Sequence, residues 1–403
     1  MKSIQDKPAD GATIQVAGNA AAEPTPVCHI IVGDSSPQTG GMCAHMTLLA
    51  DGLANAAQDV HVWAPDATEL ACQSVVKIHK TLGKLSLRDL RRTGGLLNGF
   101  RKPRRLLVYW VPHAYGYKSM NVLFCLWLWL RSAFRKDRVE LMVQECFLSF
   151  SRRNWKQSVM AMVHRMMIAL ALNAADHVWI ALSGYEQTLR PWTFGKRVAF
   201  TWLPVPSNVE VHNDPAKVAD LRARLAATGY LIGHFGTYGD SITRLLDDIV
   251  PALLKDGDAS LLLLGSRGLQ FRKQLLERFP DFEGRLHATG YLSDAELSIY
   301  LSACDVMIQP YPDGLTGRRG SSLAPLAHGC AIVTNATEVT ESLWSARGAV
   351  IFAEMTGPAF REAVRDLRKD PAAAQRVRRA AHETYVSYFD PAHMVKTIQA
   401  AKS

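Results

Sequence analysis

Short apolar runs alternate with longer stretches of helical periodicity along this chain, and the alternation occurs twice. Few folds accept that pattern, because strands separated by helices join through right-handed crossovers into a mainly parallel sheet. The run Val27-Cys-His-Ile-Ile-Val32 reads as a buried strand, followed by a loop from Gly33 to Gly41. A helix follows, since Met42, Met46, Leu49 and Leu53 share one face. Further strands are expected at 60–63, 106–110, 141–144 and 177–181. The segment Thr201-Trp-Leu-Pro-Val-Pro-Ser-Asn208 carries two prolines and reads as a connector. Beyond it, strands are expected at 231–235, 261–264, 306–309, 331–334 and 350–352, with helices over 241–254, 269–279, 294–303 and 321–328. The fold class is therefore α/β, with two facing Rossmann-like domains, 27–207 and 208–403, and a cleft between them. The last helix is expected to reach back to the first domain, and residues 1–26, polar and rich in Ala, Gly and Pro, to form a loose tail.

Composition narrows the function classes. At 48% hydrophobic and 21% charged residues, the chain can bury ordinary globular cores, which excludes wholesale disorder and disulfide scaffolds. The longest apolar run, 122–130, is half the roughly 18–20 residues that a membrane-crossing helix needs. Seven cysteines without a C-x-x-C pair give no support to a zinc site or redox pair, and predict reduced, buried thiols in the cytoplasm. Lysine and arginine exceed acidic residues by nine, which suits anionic partners. No lysine-arginine stripe interleaved with an aromatic platform stands out, so nucleic acid is not expected as a partner. Two apolar stretches, 122–130 running into Arg131, Arg135, Lys136 and Arg138, and 159–172, have two readings. They are amphipathic faces resting peripherally on anionic membrane, or buried domain helices with a solvated basic end.

Chemistry is expected where strands empty into glycine-bearing loops, since ligands in such sheets bind beyond the strand carboxyl ends. Gly40 and Gly41 precede the first helix; they are either turn glycines or a loop for sugar or acceptor, and no dinucleotide fingerprint accompanies them. Leu231-Ile-Gly-His-Phe-Gly-Thr-Tyr-Gly-Asp240 empties a strand into a loop where Gly236 and Thr237 permit close approach to phosphate. Arg318, Arg319, Gly320, Ser321 and Ser322 then combine guanidinium forks, hydroxyls and a helix start suited to a diphosphate.

The order of these features resembles the GT-B glycosyltransferases, specifically the retaining family 4, or "glycosyl transferases group 1", in its bacterial cell-surface polysaccharide form. The resemblance runs from Val27 to the final helix. It rests on Gly40-Gly41, Trp202-Leu-Pro-Val-Pro-Ser-Asn208, His287-Ala-Thr-Gly-Tyr-Leu292, Ala303-Cys-Asp-Val306, Pro310-Tyr-Pro-Asp-Gly314 and Ala327-His-Gly-Cys330. It implies a hexosyltransferase-type enzyme of exopolysaccharide or lipopolysaccharide synthesis. A nucleotide-diphosphate sugar would be held mainly by the second domain and a glycan or lipid-linked acceptor by the first, with no cofactor and no metal. The implied location is cytoplasmic, peripheral at the inner face of the membrane. Gly265, Tyr291, Leu292 and Glu341 fall where relatives bind nucleotide, and Gln144 and Glu145 where many carry a histidine near the donor sugar. Glu145 and Asp313 are the candidates for orienting sugar hydroxyls, and His113 for binding acceptor or moving a proton. Each also has a plainer role as surface acid, turn former or loop histidine.

The chain departs from the family pattern at its paired glutamates, whose places fall on Thr316 and Ala324. The usual cations of the first loop in the second domain fall near His234 and Asp240, and Arg318 and Arg319 are the candidates to replace that charge. The missing glutamates also keep open a non-catalytic sugar-nucleotide-binding or scaffold role in the same pathway.

Overall fold

The structure, a computed structural model, describes residues 27–33, 40–68, 70–116, 119–226 and 229–401. The expected N-terminal tail and most of the first glycine loop, 34–39, lie outside the described residues. The first sheet contains β1 (Val27–Ile31), β2 (Asp59–Ala64), β3 (Lys77–Lys80), β4 (Arg105–Trp110), β5 (Arg138–Val143), β6 (His177–Ile180) and β7 (Ala199–Trp202). Its order is β3-β2-β1-β4-β5-β6-β7, and every pair is parallel. The second contains β8 (Leu231–Phe235), β9 (Ser260–Leu264), β10 (Leu286–Ala288), β11 (Val306–Gln309), β12 (Ile332–Thr334) and β13 (Ile351–Phe352). It runs β10-β9-β8-β11-β12-β13, again all parallel. Helices cover both faces of each sheet, as parallel strands buried on both sides require.

The strand order reverses between β1 and β4 in one sheet and between β8 and β11 in the other. Loops diverge at such switch points and leave a crevice at the strand carboxyl ends. The loops singled out for chemistry after β8 and β11 flank the second crevice.

Three strands, β3, β7 and β10, were not expected. Thr201 and Trp202 belong to β7 rather than to a connector, and the Trp202 indole donates to the carbonyl of Ala181 at 3.2 Å. The true crossing begins at Leu203. The chain crosses back near its end, where helix Pro391–Ala400 packs Met394, Val395 and Ile398 into the first core.

Buried charge in the first sheet is matched by geometry. Glu140, fully buried, accepts two 2.8 Å bonds from Arg105 and one of 3.0 Å from the Trp179 indole. Asp137 lies between Arg104 and Arg131 at 2.7 and 2.5 Å. Removing one partner from such an enclosed pair costs about 3–5 kcal/mol, because the other charge stays buried.

Two glycine loops of the second sheet nearly touch. Gly236 donates to the carbonyl of Leu264 at 3.1 Å, and Gly265 follows at a φ of +127°. A Cβ on Gly265 would lie 2.0 Å from the carbonyl oxygen of Gly236, so neither the torsion nor the space admits a side chain. Gly265→Ala is therefore expected to destabilise the protein by at least about 2 kcal/mol. Gly95, inside helix Leu87–Leu97 with no atom near its Cβ position, gives the control. Gly95→Ala should raise stability by about 0.5–1 kcal/mol. Urea titration of both variants reads the opposite signs, and equal effects would refute the steric account.

Burial holds His29 near a pKa of about 3, His45 near about 4 and His234 near about 3, below the ordinary 6.5. All three are neutral in the fold at pH 7, while the unfolded chain takes up their protons below about pH 6.5. Stability from these groups is thus complete above pH 6.5 and is lost as pH falls toward the folded values. Each contributes a slope approaching about 1.4 kcal/mol per pH unit within that window. Urea midpoints measured from pH 8 to 4.5 should be flat above 7 and fall below 6.5, with a shallower fall in His29→Gln.

Candidate functional site

The cleft-facing ends of the second sheet enclose a cavity of about 540 Å³. Gly236 and Thr237 after β8, Gly265 after β9, and Tyr291 and Leu292 after β10 line one side. Gln309, Tyr311, Arg318, Arg319, Gly320 and Ser321 line the other. The crossovers thus gather at one cavity the residues expected to hold nucleotide and diphosphate, apart from Ser322 and Glu341.

The wall after β11 is braced from behind. Asn335 accepts from the backbone N–H of Tyr311 and donates to its carbonyl, both at 2.9 Å. The Tyr311 hydroxyl lies 2.7 Å from both the Ser321 and the Ser322 hydroxyls. Ser322 is fully buried and does not line the cavity. Consecutive helical residues point about 100° apart, and with Ser321 on the cavity side Ser322 turns inward. Glu341 also lies outside the lining of this cavity. Its carboxylate accepts from the Gly317 backbone at 3.0 Å and from the Trp344 indole at 2.9 Å, and so supports the loop ahead of Arg318. Asp313 pairs with Arg319 and lies outside the cavity lining.

Charge at this cavity is supplied by the β11 loop. His234 is buried and neutral, with its pKa lowered to about 3 by burial, so it brings no cation to the cavity it lines. Arg319 stacks over the Tyr311 ring at 4.8 Å while it meets Asp313. Thr316 and Ala324 are both buried, and Asp294 is the single carboxylate residue among the described residues lining the cavity. Gln309 donates to the Ser321 carbonyl at 2.7 Å, which leaves its buried Oε1 without a protein partner. A ligand donor entering here would find that acceptor open.

Arg318 reaches across the cleft. It donates to the Tyr185 hydroxyl and, at 3.3 Å, to Glu145 Oε1. Burial raises the Tyr185 pKa to about 12, so the phenol keeps its proton and donates it to the Gln144 carbonyl at 3.3 Å. Two first-domain cavities adjoin. One, of about 290 Å³, is bordered by Met42, His45, Gln144, Glu145, Asn208 and Arg318. The other, of about 340 Å³, is bordered by His113, Glu145, Phe147, Tyr185 and Arg318. Arg318 therefore touches all three cavities.

His113 is exposed and lies 3.3 Å from the Ser119 hydroxyl. Gly40 and Gly41 open helix Gly40–Asn55, but the loop leading to them is outside the described residues. His45 on that helix approaches the Gln144 amide at 3.2 Å and the Met394 sulfur at 3.0 Å. His45, Tyr185, Gln309, Tyr311 and Asp294 are cleft residues that sequence reading passed over. For Tyr185, Gln309 and Tyr311 the available signal was position, at or just past the carboxyl ends of β6 and β11. Among the described residues, no group of three or more His, Cys, Asp or Glu side chains is placed to hold a metal ion.

Known proteins place this geometry. Residues 228–370 match the family described as Glycosyl transferases group 1. No sequence match was found among curated proteins. Among solved structures, HepE of Anabaena in complex with UDP is similar at a TM-score of 0.64 and 13% identity, over 93% of this chain and 99% of that one. Sucrose-phosphate synthase of Thermosynechococcus elongatus matches at 0.63 and 17%, over 94% and 98%. WaaG, a glycosyltransferase involved in lipopolysaccharide biosynthesis, matches at 0.57 and 12%, over 92% and 98%. The two sheets facing across a cleft are the GT-B fold, and residues 228–370 within it match the glycosyl transferases group 1.

Proposed function

We propose that this chain is a glycosyltransferase that moves a sugar, with retention of configuration, from a nucleoside-diphosphate donor in the second-domain cavity to a lipid-linked or polysaccharide acceptor in the first-domain cavities. The pathway would be cell-surface glycan synthesis at the cytoplasmic side of the membrane. The observation that carries this reading is the cavity wall of Arg318, Arg319, Ser321 and the start of helix Gly320–Ala327, opposite two close glycine loops. Backbone N–H groups at a helix start and two guanidinium forks suit a diphosphate. The donor reading is also supported by the HepE structure, which contains UDP.

The chemistry asks mainly for orientation and charge stabilisation. The bond from the anomeric carbon to the diphosphate oxygen breaks as the acceptor oxygen bonds to that carbon on the same face. The acceptor proton passes to the departing phosphate oxygen. Negative charge grows on the diphosphate, where fixed cations and dipoles lower the barrier. Arg318 and Arg319 leave their partly exposed carboxylate partners for a more highly charged diphosphate; exposed pairs of that kind contribute only about 0–1 kcal/mol, so the exchange costs little. Arg318, once released, frees Glu145 to orient a sugar hydroxyl beside Gln144, with His113 on the acceptor side.

Thermal unfolding with UDP, GDP, ADP, dTDP and their sugars tests the donor site. A nucleotide at about 100 times its dissociation constant should stabilise the fold by roughly 2.7 kcal/mol. One nucleotide family should raise the midpoint of the wild type and leave Arg318→Ala/Arg319→Ala unmoved. No response from the wild type would sink the diphosphate assignment and favour the scaffold role that the missing glutamates keep open.

A further inference from the structure

Half of the large hydrophobic side chains exposed among the described residues lie between Met120 and Met166. They are ordered. On helix Val122–Arg135, Leu123, Leu126, Leu130 and Phe134 form one outward stripe, while Phe124, Cys125 and Leu128 face the core. On helix Trp155–Ala174, Trp155, Val159, Met162 and Met166 form another at helical spacing. The two helices pack together and follow successive strands stepping in one direction across the sheet, so both stripes lie on one side of it. Trp155 is 72% exposed, as is Phe134, far more than a solvated helix face needs to show.

Positive charge dominates this side. Arg135 and Lys136 end the first helix; Arg152, Arg153 and Lys156 surround the start of the second, and all are exposed. Residues 119–136 and 146–175 contain no aspartate or glutamate. The wider segment 84–136 holds twelve lysines and arginines against one carboxylate, Asp89; three of the twelve, Arg104, Arg105 and Arg131, pair with buried Asp137 and Glu140, which leaves nine against one. The patch is also continuous with the acceptor side of the cleft. Phe147 and Leu148 border the cavity shared by His113, Glu145 and Arg318. Arg165 stacks on Phe147 at 4.2 Å and Phe150 at 4.1 Å and donates to the Leu148 carbonyl, which fixes this segment to helix Trp155–Ala174. No helix among the described residues is long and apolar enough to cross a membrane.

We propose that the outer face of helices Val122–Arg135 and Trp155–Ala174 docks on an anionic lipid bilayer and sets the Phe147–Phe150 edge of the acceptor cavity at the headgroup level. Aromatic and aliphatic side chains enter the interface while the rim of arginine and lysine meets acidic headgroups. This deepens the reading of a membrane-side acceptor by naming the surface that meets the lipid. A second copy of the chain is disfavoured as occupant, because two such faces would oppose like charges.

Flotation of the full chain with vesicles of phosphatidylcholine, with and without 30% phosphatidylglycerol, tests it. The chain should float with the anionic vesicles, only weakly with the neutral ones, and less at high salt. Arg152→Ser/Arg153→Ser/Lys156→Ser should lower partitioning on the order of a hundredfold, at roughly fivefold per cation. Trp155→Ser/Met162→Ser should lower it at every salt concentration. Lys217→Ser/Arg224→Ser/Lys273→Ser, on exposed second-domain helices, should change it little, and thermal midpoints show that each variant folds. Absence of anionic-vesicle binding, equal loss in the second-domain variant, or a dimer in sedimentation that Met162→Asp dissolves while vesicles are ignored would each overturn the proposal. Nucleotide-induced stabilisation is read separately, so failure on vesicles leaves the donor site standing, and failure with nucleotides leaves this surface standing.

Discussion

Burial of Met394, Val395 and Ile398 in the first core is the contact on which the cleft depends. These residues come after every strand of the second sheet, so the chain crosses between domains twice, and the second crossing sets one sheet in front of the other. Polar contacts reinforce the apolar ones at the same helix. Arg105, already bidentate to buried Glu140, also donates to the Ile398 carbonyl at 2.9 Å, and Arg138 donates to the Ala401 carbonyl at 2.6 Å. Cations at a helix carboxyl end complete its unpaired carbonyls and favour its dipole. His45 touches Met394 on one side and Gln144 on the other, so the returning helix also bears on the floor of the cleft.

Within that frame, charge is placed on the loop that crosses the gap. His234 is too buried to be a cation, and Thr316 and Ala324 leave the β11 loop without carboxylates at the family's usual positions. Positive charge sits instead on Arg318 and Arg319, whose partners Glu145 and Asp313 are half exposed and easily exchanged. The backbone behind them is rigid, clamped by Asn335 and by the carboxylate of Glu341. Rigid backbone with exchangeable side-chain partners suits the proposed binding and release of a diphosphate.

The sequence made the fold legible where strands were central. The strands it missed, β3, β7 and β10, are all sheet edges. An edge strand is covered on one flank only, and Lys77-Ile-His-Lys80 and Leu286-His-Ala288 carry too few apolar residues to stand out. Glycine loops were legible because close backbone approach leaves a mark in the sequence. Ser322 stands behind the cavity lining because a helix sends neighbours in different directions, which a linear motif does not show. Arg318 meeting Tyr185 and Glu145 was not legible at all, since the partners are separated by 133 and 173 residues and meet only where the two domains face each other.

Net charge shows the same limit of a linear reading. Taken over the whole chain, +9 reads as a diffuse preference for anions, and no stripe stands out along the sequence. In the fold the surplus is concentrated in residues 84–136, where some of it is internal: Arg104 and Arg131 neutralise Asp137, and Arg105 neutralises Glu140. What remains exposed adjoins an apolar helix face, whereas the two arginines of the cleft stand apart from it on the opposite domain. On the proposed reading, the cationic character of the chain divides into two anion-directed surfaces, one small enough for a diphosphate and one broad enough for a membrane.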